Sequence, residues 1–551
     1  GFIPFNMKVK MNLLKLSHLS PLLLLAAGMG VFLSCAEDGL PNEGIGTGSN
    51  NAQTLTISVS DGGYAAADGA PQSSYGGAST RATEVDYQTK FTAGDKIGMY
   101  AVKNTAIVDG INNLCLTAAD DGSGGIKWEL PAGNTTSLPA DATYYAYYPW
   151  RSPLTGDLVP GLTPSGTPAT DATAFFANVI SAWTPATDQG TYAKYTAQDL
   201  MIAQGTVSGT ILSFSMEHRM ALVVMKMPLT VYVFTNTSPA VHDYVIHTHK
   251  FSGFSPCLMD DYTFRYLITP ASGSASKLSG SYVNDASQKV GWDFTPNNIS
   301  IGKYKTYTVD NAVIKKITDH QLQSGDYFMK DGSLVAKDAT LNDAQKAACI
   351  GIVYWIGDVA SANFGLLDDK FPKGTHGLVT SLWYAEDPDS GIKEMTWTYG
   401  GNEAVKDKLS TAGFTVPAEY DFHEIVKNQG YINTLALRQY NAYLESSSST
   451  DSKRIKPIYA LDKFETAYPA PTQSSGWYWP ALTELSAVYS VKDVIDTQLG
   501  KVGSTEFFGS LKLVSSVEQA ADVAYSFDYG NRYSVGVDKS VACPVRFILA
   551  F

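Results

Sequence analysis

Charge is scarce in this sequence. Asp, Glu, Lys and Arg make up 17% of its 551 residues, against about 25% in ordinary globular chains. There is no run of Lys or Arg, and the formal net charge is −13. A surface of that sign repels phosphates, which excludes nucleic acid as a partner. Cysteine is equally scarce. Cys35, Cys115, Cys257, Cys349 and Cys543 include no C-x-x-C pair, which argues against zinc-ribbon and thioredoxin-type sites. The last four are at least 92 residues apart, unlike a small disulfide scaffold, and read as free, buried thiols. After residue 33 no stretch reaches 18 continuous apolar residues, so no later segment reads as a membrane-spanning helix. Catalytic motifs are missing too: there is no G-x-S-x-G elbow, Walker A loop or Rossmann glycine pattern. His423-Glu424 starts like H-E-x-x-H, but Lys427 stands fifth. If 243–249 is a strand, His247 and His249 share one face, yet no Cys or carboxylate joins them at ligand spacing. The chain reads as a non-enzyme, with no cofactor and no metal.

What the sequence does have is aromatic rings, 12% of residues, led by 32 Tyr, a mix that suits half-buried β-sheets. Its length allows about three to four domains. Lys8, Lys10 and Lys15 precede the apolar run Leu19 to Leu33, the layout of a secretory signal. Phe32-Leu33-Ser34-Cys35 resembles the lipobox of bacterial lipoproteins, although Phe32 stands where leucine is usual. The resemblance implies a signal peptide over 1–34 and acylation (palmitate) of Cys35, anchoring an exported protein to the outer membrane at the cell surface. Residues 36–53, rich in Gly, Asn and Ser, read as a tether.

Residues 54–60, TLTISVS, alternate, with Leu55, Ile57 and Val59 on one face, which predicts a strand. A Gly/Ser-rich stretch then runs to Arg81, the single basic residue there. From about 85 to 312, short strands alternate with turn clusters, among them 96–102, 143–149, 211–216, 220–227, 230–234, 263–268 and 304–309, the pattern of antiparallel sandwiches. The stretch 150–200 reads as wrapping loops. After a linker at 313–320 the texture becomes α+β. Helices are predicted over 341–348, 418–429 and 484–499, and strands over 348–357, 377–384 and 545–551.

Five blocks occur in order: FTAGDKIGMYAV (91–102), ATYYAYYPW (142–150), DLMIAQGTVSG (199–209), LSFSMEHRMALVVMKM (212–227) and GKYKTYTV (302–309). They resemble the fimbrillin family, lipoprotein precursors of type V pilus (fimbrium) subunits. Further on, Trp477-Tyr478-Trp479-Pro480-Ala481, Glu484-Leu485, Leu513 to Glu518 and Cys543 to Phe551 resemble bacterial C-type-lectin-like modules, with Trp479 and Val517 departing from the pattern. Together these imply a mainly β chain: two tandem transthyretin-like β-sandwiches, then an α+β C-type-lectin-like domain. The expected partition is 1–34 signal peptide, 35–81 tether and removable first strand, 82–207 first sandwich, 208–312 second sandwich and 316–551 lectin-like domain.

The family resemblance implies assembly by donor-strand exchange. A trypsin-like protease cuts between Arg81 and Ala82, the strand 54–60 leaves, and a strand from another pilin takes its place. VRFILAF (545–551) reads as a core strand rather than a donor tail, which places the subunit at the tip. The lectin-like module would bind a host or bacterial glycan or a protein receptor. Trp383, Tyr384, Trp397, Trp477, Tyr478 and Trp479 are the candidate ligand-binding aromatics, weighed against core packing. Asp368-Asp369 and Glu386 to Asp389 are acidic loops, weighed as calcium ligands against solvated surface. The alternative reading is a stand-alone surface glycan-binding lipoprotein that never polymerises, its first strand paired for life.

Overall fold

The computed structural model describes residues 55–67, 83–85, 87–134, 136–152, 154, 169–270, 275–448 and 451–551. The signal peptide, the tether, Cys35, Arg81 and Ala82 lie outside them.

Alternation built the first sheet. In Ile211–His218, Leu212, Phe214, Met216 and His218 are buried and the residues between them are exposed, as a half-buried strand requires. The sheet runs in the order Thr56–Asp61 (β1), 211–218, Met201–Ser208, Thr143–Tyr148, Lys96–Lys103, Leu114–Asp120 and Ile126–Glu129. Every pairing on this path is antiparallel except that of β1, which runs parallel to 211–218. β1 also lies beside 126–129, the strand at the opposite end of the order. The sheet therefore curls round, and β1 fills the seam between its two ends.

The second sheet has the order Cys257–Leu258, Phe264–Ile268, Ala221–Lys226, Lys303–Thr308 and Ala65–Ala66 (β2). Its central strand is a continuous apolar run because both faces are covered. Leu222 and Val224 face one core, Ala221, Val223 and Met225 another. Two three-stranded sheets flank it, one of them Tyr244–Ile246, Leu229–Tyr232 and Ile314–Ile317.

Two expected boundaries move. Strands 201–208 and 211–218 form one hairpin turned at Gly209, φ +59°, so the first sheet continues to His218 rather than ending at 207. The expected linker 313–320 contains Ile314–Ile317, which pairs parallel with 229–232. The C-terminal region is also not set apart. Tyr232 and Tyr244 share one apolar cluster with Phe328, Val353 and Phe551, and Tyr244 Oη donates to the Gly332 carbonyl at 2.8 Å.

The C-terminal region holds the sheet Leu334–Val335, Tyr327–Met329, Cys349–Ile356, Gly377–Ser381 and Ile548–Ala550, and a second sheet of Lys512–Glu518, Val523–Asp528 and Tyr533–Asp538. Its helices include Asp343–Ala348, Gly430–Ser447, Lys456–Ala467, Leu482–Tyr489 and Lys492–Lys501. The helix expected over 484–499 is thus two helices, parted at Ser490-Val491. The one expected over 418–429 is irregular, and a helix starts only at Gly430. Asp421 accepts from the His423 N–H and Glu424 from the Val426 N–H, local bonds that compete with helix. The stretch 150–200 is more than loops. Short helices Ala172–Phe175 and Ala177–Ala182 bury Phe175, Phe176 and Val179 beneath the first two sheets. No helix among the described residues is long and apolar enough to cross a membrane.

Candidate functional site

The site is the segment 55–67 and the surface it covers. β1 keeps the expected alternation. Leu55 and Ile57 are buried and Val59 half-buried, while Thr56, Ser58 and Ser60 are exposed. The buried pair joins a cluster with Ile97, Leu116, Leu212, Phe214 and Met216, each contributing about 1.5–3 kcal/mol by leaving water. The backbone is satisfied along one side only, by the ladder Thr56↔Ile211 through Asp61↔Met216. This is an edge position, the kind that another chain can occupy.

Asp61 ends β1 and begins a buried polar network. Its Oδ2 accepts from the Thr89 N–H at 2.6 Å and lies 2.9 Å from His218 Nε2. His218 Nδ1 lies 2.9 Å from Asp199 Oδ1, which also accepts from Tyr64 Oη at 2.7 Å. The Tyr64 ring stacks on the imidazole with 3.9 Å between centroids. The side chains of Asp61 and His218 are wholly shielded from solvent, and Asp199 is 3% exposed. Burial alone would pull the imidazole pKa down. The Asp199 charge and hydrogen bond, then those of Asp61, outweigh it and push His218 up to about 9. Burial pushes the Asp61 carboxyl up, but His218 and the Gly63 and Thr89 amides hold it below its usual value. Burial first, then the Asp199 charge, drives the Tyr64 phenol well above its usual range. The His218 ring is therefore clamped between two acidic side chains, which favour its charged form.

Beyond Asp61 the segment turns at Gly63, φ +76°, where a Cβ would meet Gln88 Cγ at 2.6 Å. It then crosses to the second sheet. β2 pairs parallel with 303–308, and the Ala65 N–H donates to Gly302 at 3.0 Å. Thirteen residues thus close an edge of two sheets.

The aromatic candidates sit elsewhere. Trp397, Trp477, Tyr478 and Trp479 are each at most 2% exposed and Tyr384 7%, so five of the six rings are core. Each polar handle is satisfied inside. Trp397 Nε1 donates to Ser515 at 3.0 Å, Trp479 Nε1 to Val514 at 3.0 Å and Tyr478 Oη to Glu484 at 3.0 Å. Trp383 alone is half-buried, stacked on Tyr468 at 3.7 Å. In the acidic loop, Asp387 pairs with Lys456 at 2.7 Å. Cys257, Cys349 and Cys543 are free and buried, and Cys115 is free and half-buried. Among the described residues, no group of three or more His, Cys, Asp or Glu is placed to hold a metal ion.

Sequence reasoning found β1 but missed β2 and the network. Asp61, Tyr64, Asp199 and His218 span 157 residues and form no local motif. One signal was present: an acid closes the alternating run TLTISVSD, and a histidine closes ILSFSMEH.

The sequence pattern of a family described as Fimbrillin-like matches residues 80–297. A Bacteroides ovatus protein described as "Putative fimbrium tip subunit Fim1C" is 31% identical over 530 residues, 86% of this chain and 90% of its own length. Among solved structures, a fimbrial protein from Bacteroides ovatus is similar, with 26% identity and a TM-score of 0.48, covering 91% of this chain and 100% of its own.

Proposed function

The chain belongs to the fimbrillin-like family, and from there we propose that it is an adhesive subunit of a cell-surface fimbrium, placed at the tip. Cys35 carries the lipid that anchors the precursor to the outer membrane. Cleavage between Arg81 and Ala82 frees the segment before it, and a strand from another fimbrial subunit enters the seam that β1 leaves. The observation that carries this reading is the place of β1: an edge strand, parallel to 211–218, delivering Leu55 and Ile57 into the core. The name borne by the Bacteroides ovatus relative supports the tip position. The C-terminal region is the lectin-like part and faces a glycan or protein receptor. With five candidate rings in the core, its contacts fall on Trp383 and other surface groups.

The test is N-terminal sequencing of this subunit from assembled fimbriae. A chain starting at Ala82 is expected. An intact Arg81–Ala82 bond in assembled material overturns strand exchange, and absence of the subunit from assembled fimbriae favours the stand-alone lipoprotein. Gold-labelled antibody to the C-terminal region should mark fimbrial ends; label spread along shafts excludes the tip.

A further inference from the structure

We propose that the seam occupied by β1 selects its incoming strand by an acid: three apolar residues at every second position, then Asp or Glu two residues on, seated against His218. This rests on the strand-exchange reading above and specifies the partner it takes.

The argument starts from what 55–67 would leave behind. The apolar positions of Leu55, Ile57 and Val59 face the core of the first sheet, so a replacement needs apolar side chains at the same spacing. At the end of the seam, two hydrogen-bond donors converge on one carboxylate oxygen: His218 Nε2, 2.9 Å away, and the Thr89 amide, 2.6 Å away. Thr89 is 7% exposed and the His218 side chain wholly covered. With Asp61 gone, both donors lose their acceptor. His218 keeps Asp199 at 2.9 Å on its other nitrogen, so the ring stays oriented with Nε2 toward the position that Asp61 leaves. A lysine or arginine at this register places like charge against the ring, and an apolar residue leaves two buried donors unmet. Both are costly where the side chains are shielded from solvent, as those of His218 and Asp61 are. Asparagine supplies one acceptor but no charge, and turns an N–H group toward the Gly63 amide, which donates to the other Asp61 oxygen at 2.8 Å. Apolar contacts give the seam affinity for many strands; the acid socket gives register and choice. A strand slipped by one residue places its acid on the solvent face.

The test uses the full chain with a site-specific protease sequence introduced between Ala67 and Thr83. After cleavage of the folded protein, a fluorescent peptide of residues 55–67 is exchanged into the seam and its affinity measured by competition. The unchanged peptide should rebind. The Asp61→Asn and Asp61→Lys peptides should bind roughly 100-fold or more weakly, the usual effect of unpairing a buried charge. In a His218→Gln protein that preference should shrink to within about threefold. Equal binding of all three peptides, or an acid preference that survives His218→Gln, overturns the proposal. If the cleaved protein fails to stay folded, amide hydrogen exchange on the uncut chain decides. Asp61→Asn should accelerate exchange across 56–61 at least tenfold while leaving 349–356 unchanged, and an unaltered rate overturns the proposal. The two readings separate cleanly. Assembled subunits that retain the Arg81–Ala82 bond refute strand exchange but not the acid preference. Exchanged strands lacking the acid refute the preference alone.

Discussion

Both ends of the described chain contribute an edge strand, and the two are held in opposite ways. Ile548–Ala550 is paired with Gly377–Ser381 on one side and covered on the other, where Ser475 and Tyr478 bond back to it and Phe551 is fully buried. β1 has its ladder on one side only and reaches its sheet across a long sequence separation. Each region also hides an ion cluster. In the C-terminal region, Glu518 and Lys539 meet at 2.8 Å with side chains wholly buried, and Glu518 also accepts from the Val405 and Lys406 amides. That cluster ties together strands and loops of one packed core. The Asp61–His218–Asp199 cluster ties a peripheral ribbon to a core. The same chemistry is a rivet in one place and a clasp in the other.

The largest effect should come from Lys539→Met. It leaves Glu518 buried without its cation, and denaturant unfolding of the C-terminal region should lose about 3–5 kcal/mol. A loss below about 1 kcal/mol would place the rivet on the surface and end the contrast. pH separates the regions next. His218, raised to about 9, holds β1 most firmly below about pH 6.5, its ordinary pKa, and releases that stabilisation as pH rises through about 9. Glu484 is raised to about 7, chiefly by burial, so its contribution is complete below its ordinary value and fades as pH rises through about 7. Hydrogen exchange should therefore loosen around Leu482–Tyr489 at a lower pH than around β1. Opening at a single common pH would merge the two regions. Ile57→Ala should weaken β1 by about 2 kcal/mol, the low end for a core deletion because an edge site relaxes. Proteolytic susceptibility of 55–67 should rise while 349–356 stays protected. The smallest change is Lys103→Ala, which removes a pair with Asp141 whose side chains are 41% and 68% exposed. It should cost under about 1 kcal/mol and alter neither region's exchange pattern.

How much could be read ahead of the structure follows the same divide. Strands with period-two alternation, such as 211–218 and β1, were legible because one buried face writes itself into sequence. The run 220–227 was legible as a strand for the opposite reason, both faces being covered. The 207 boundary failed because a hairpin and a domain break both place Gly in a turn, here Gly209. The linker failed because Ile314–Ile317, with Lys315 and Lys316 exposed, carries too little apolar signal until its neighbour 229–232 is known. The clasp was illegible because its parts meet only after two sheets have folded. The aromatic candidates were judged by residue type, and burial, which sequence does not state, decided against five of them.

The turn at Gly63 gives the ribbon one more property. Because β1 closes one sheet and β2 the next, any polypeptide that reproduces both grips is a bivalent ligand on a three-residue leash. Neither foothold need be strong. Once the six-residue stretch is down, the two-residue stretch faces its groove at millimolar or higher local concentration. A competitor matching only the longer foothold forgoes that multiplication and is outlasted by one that matches both.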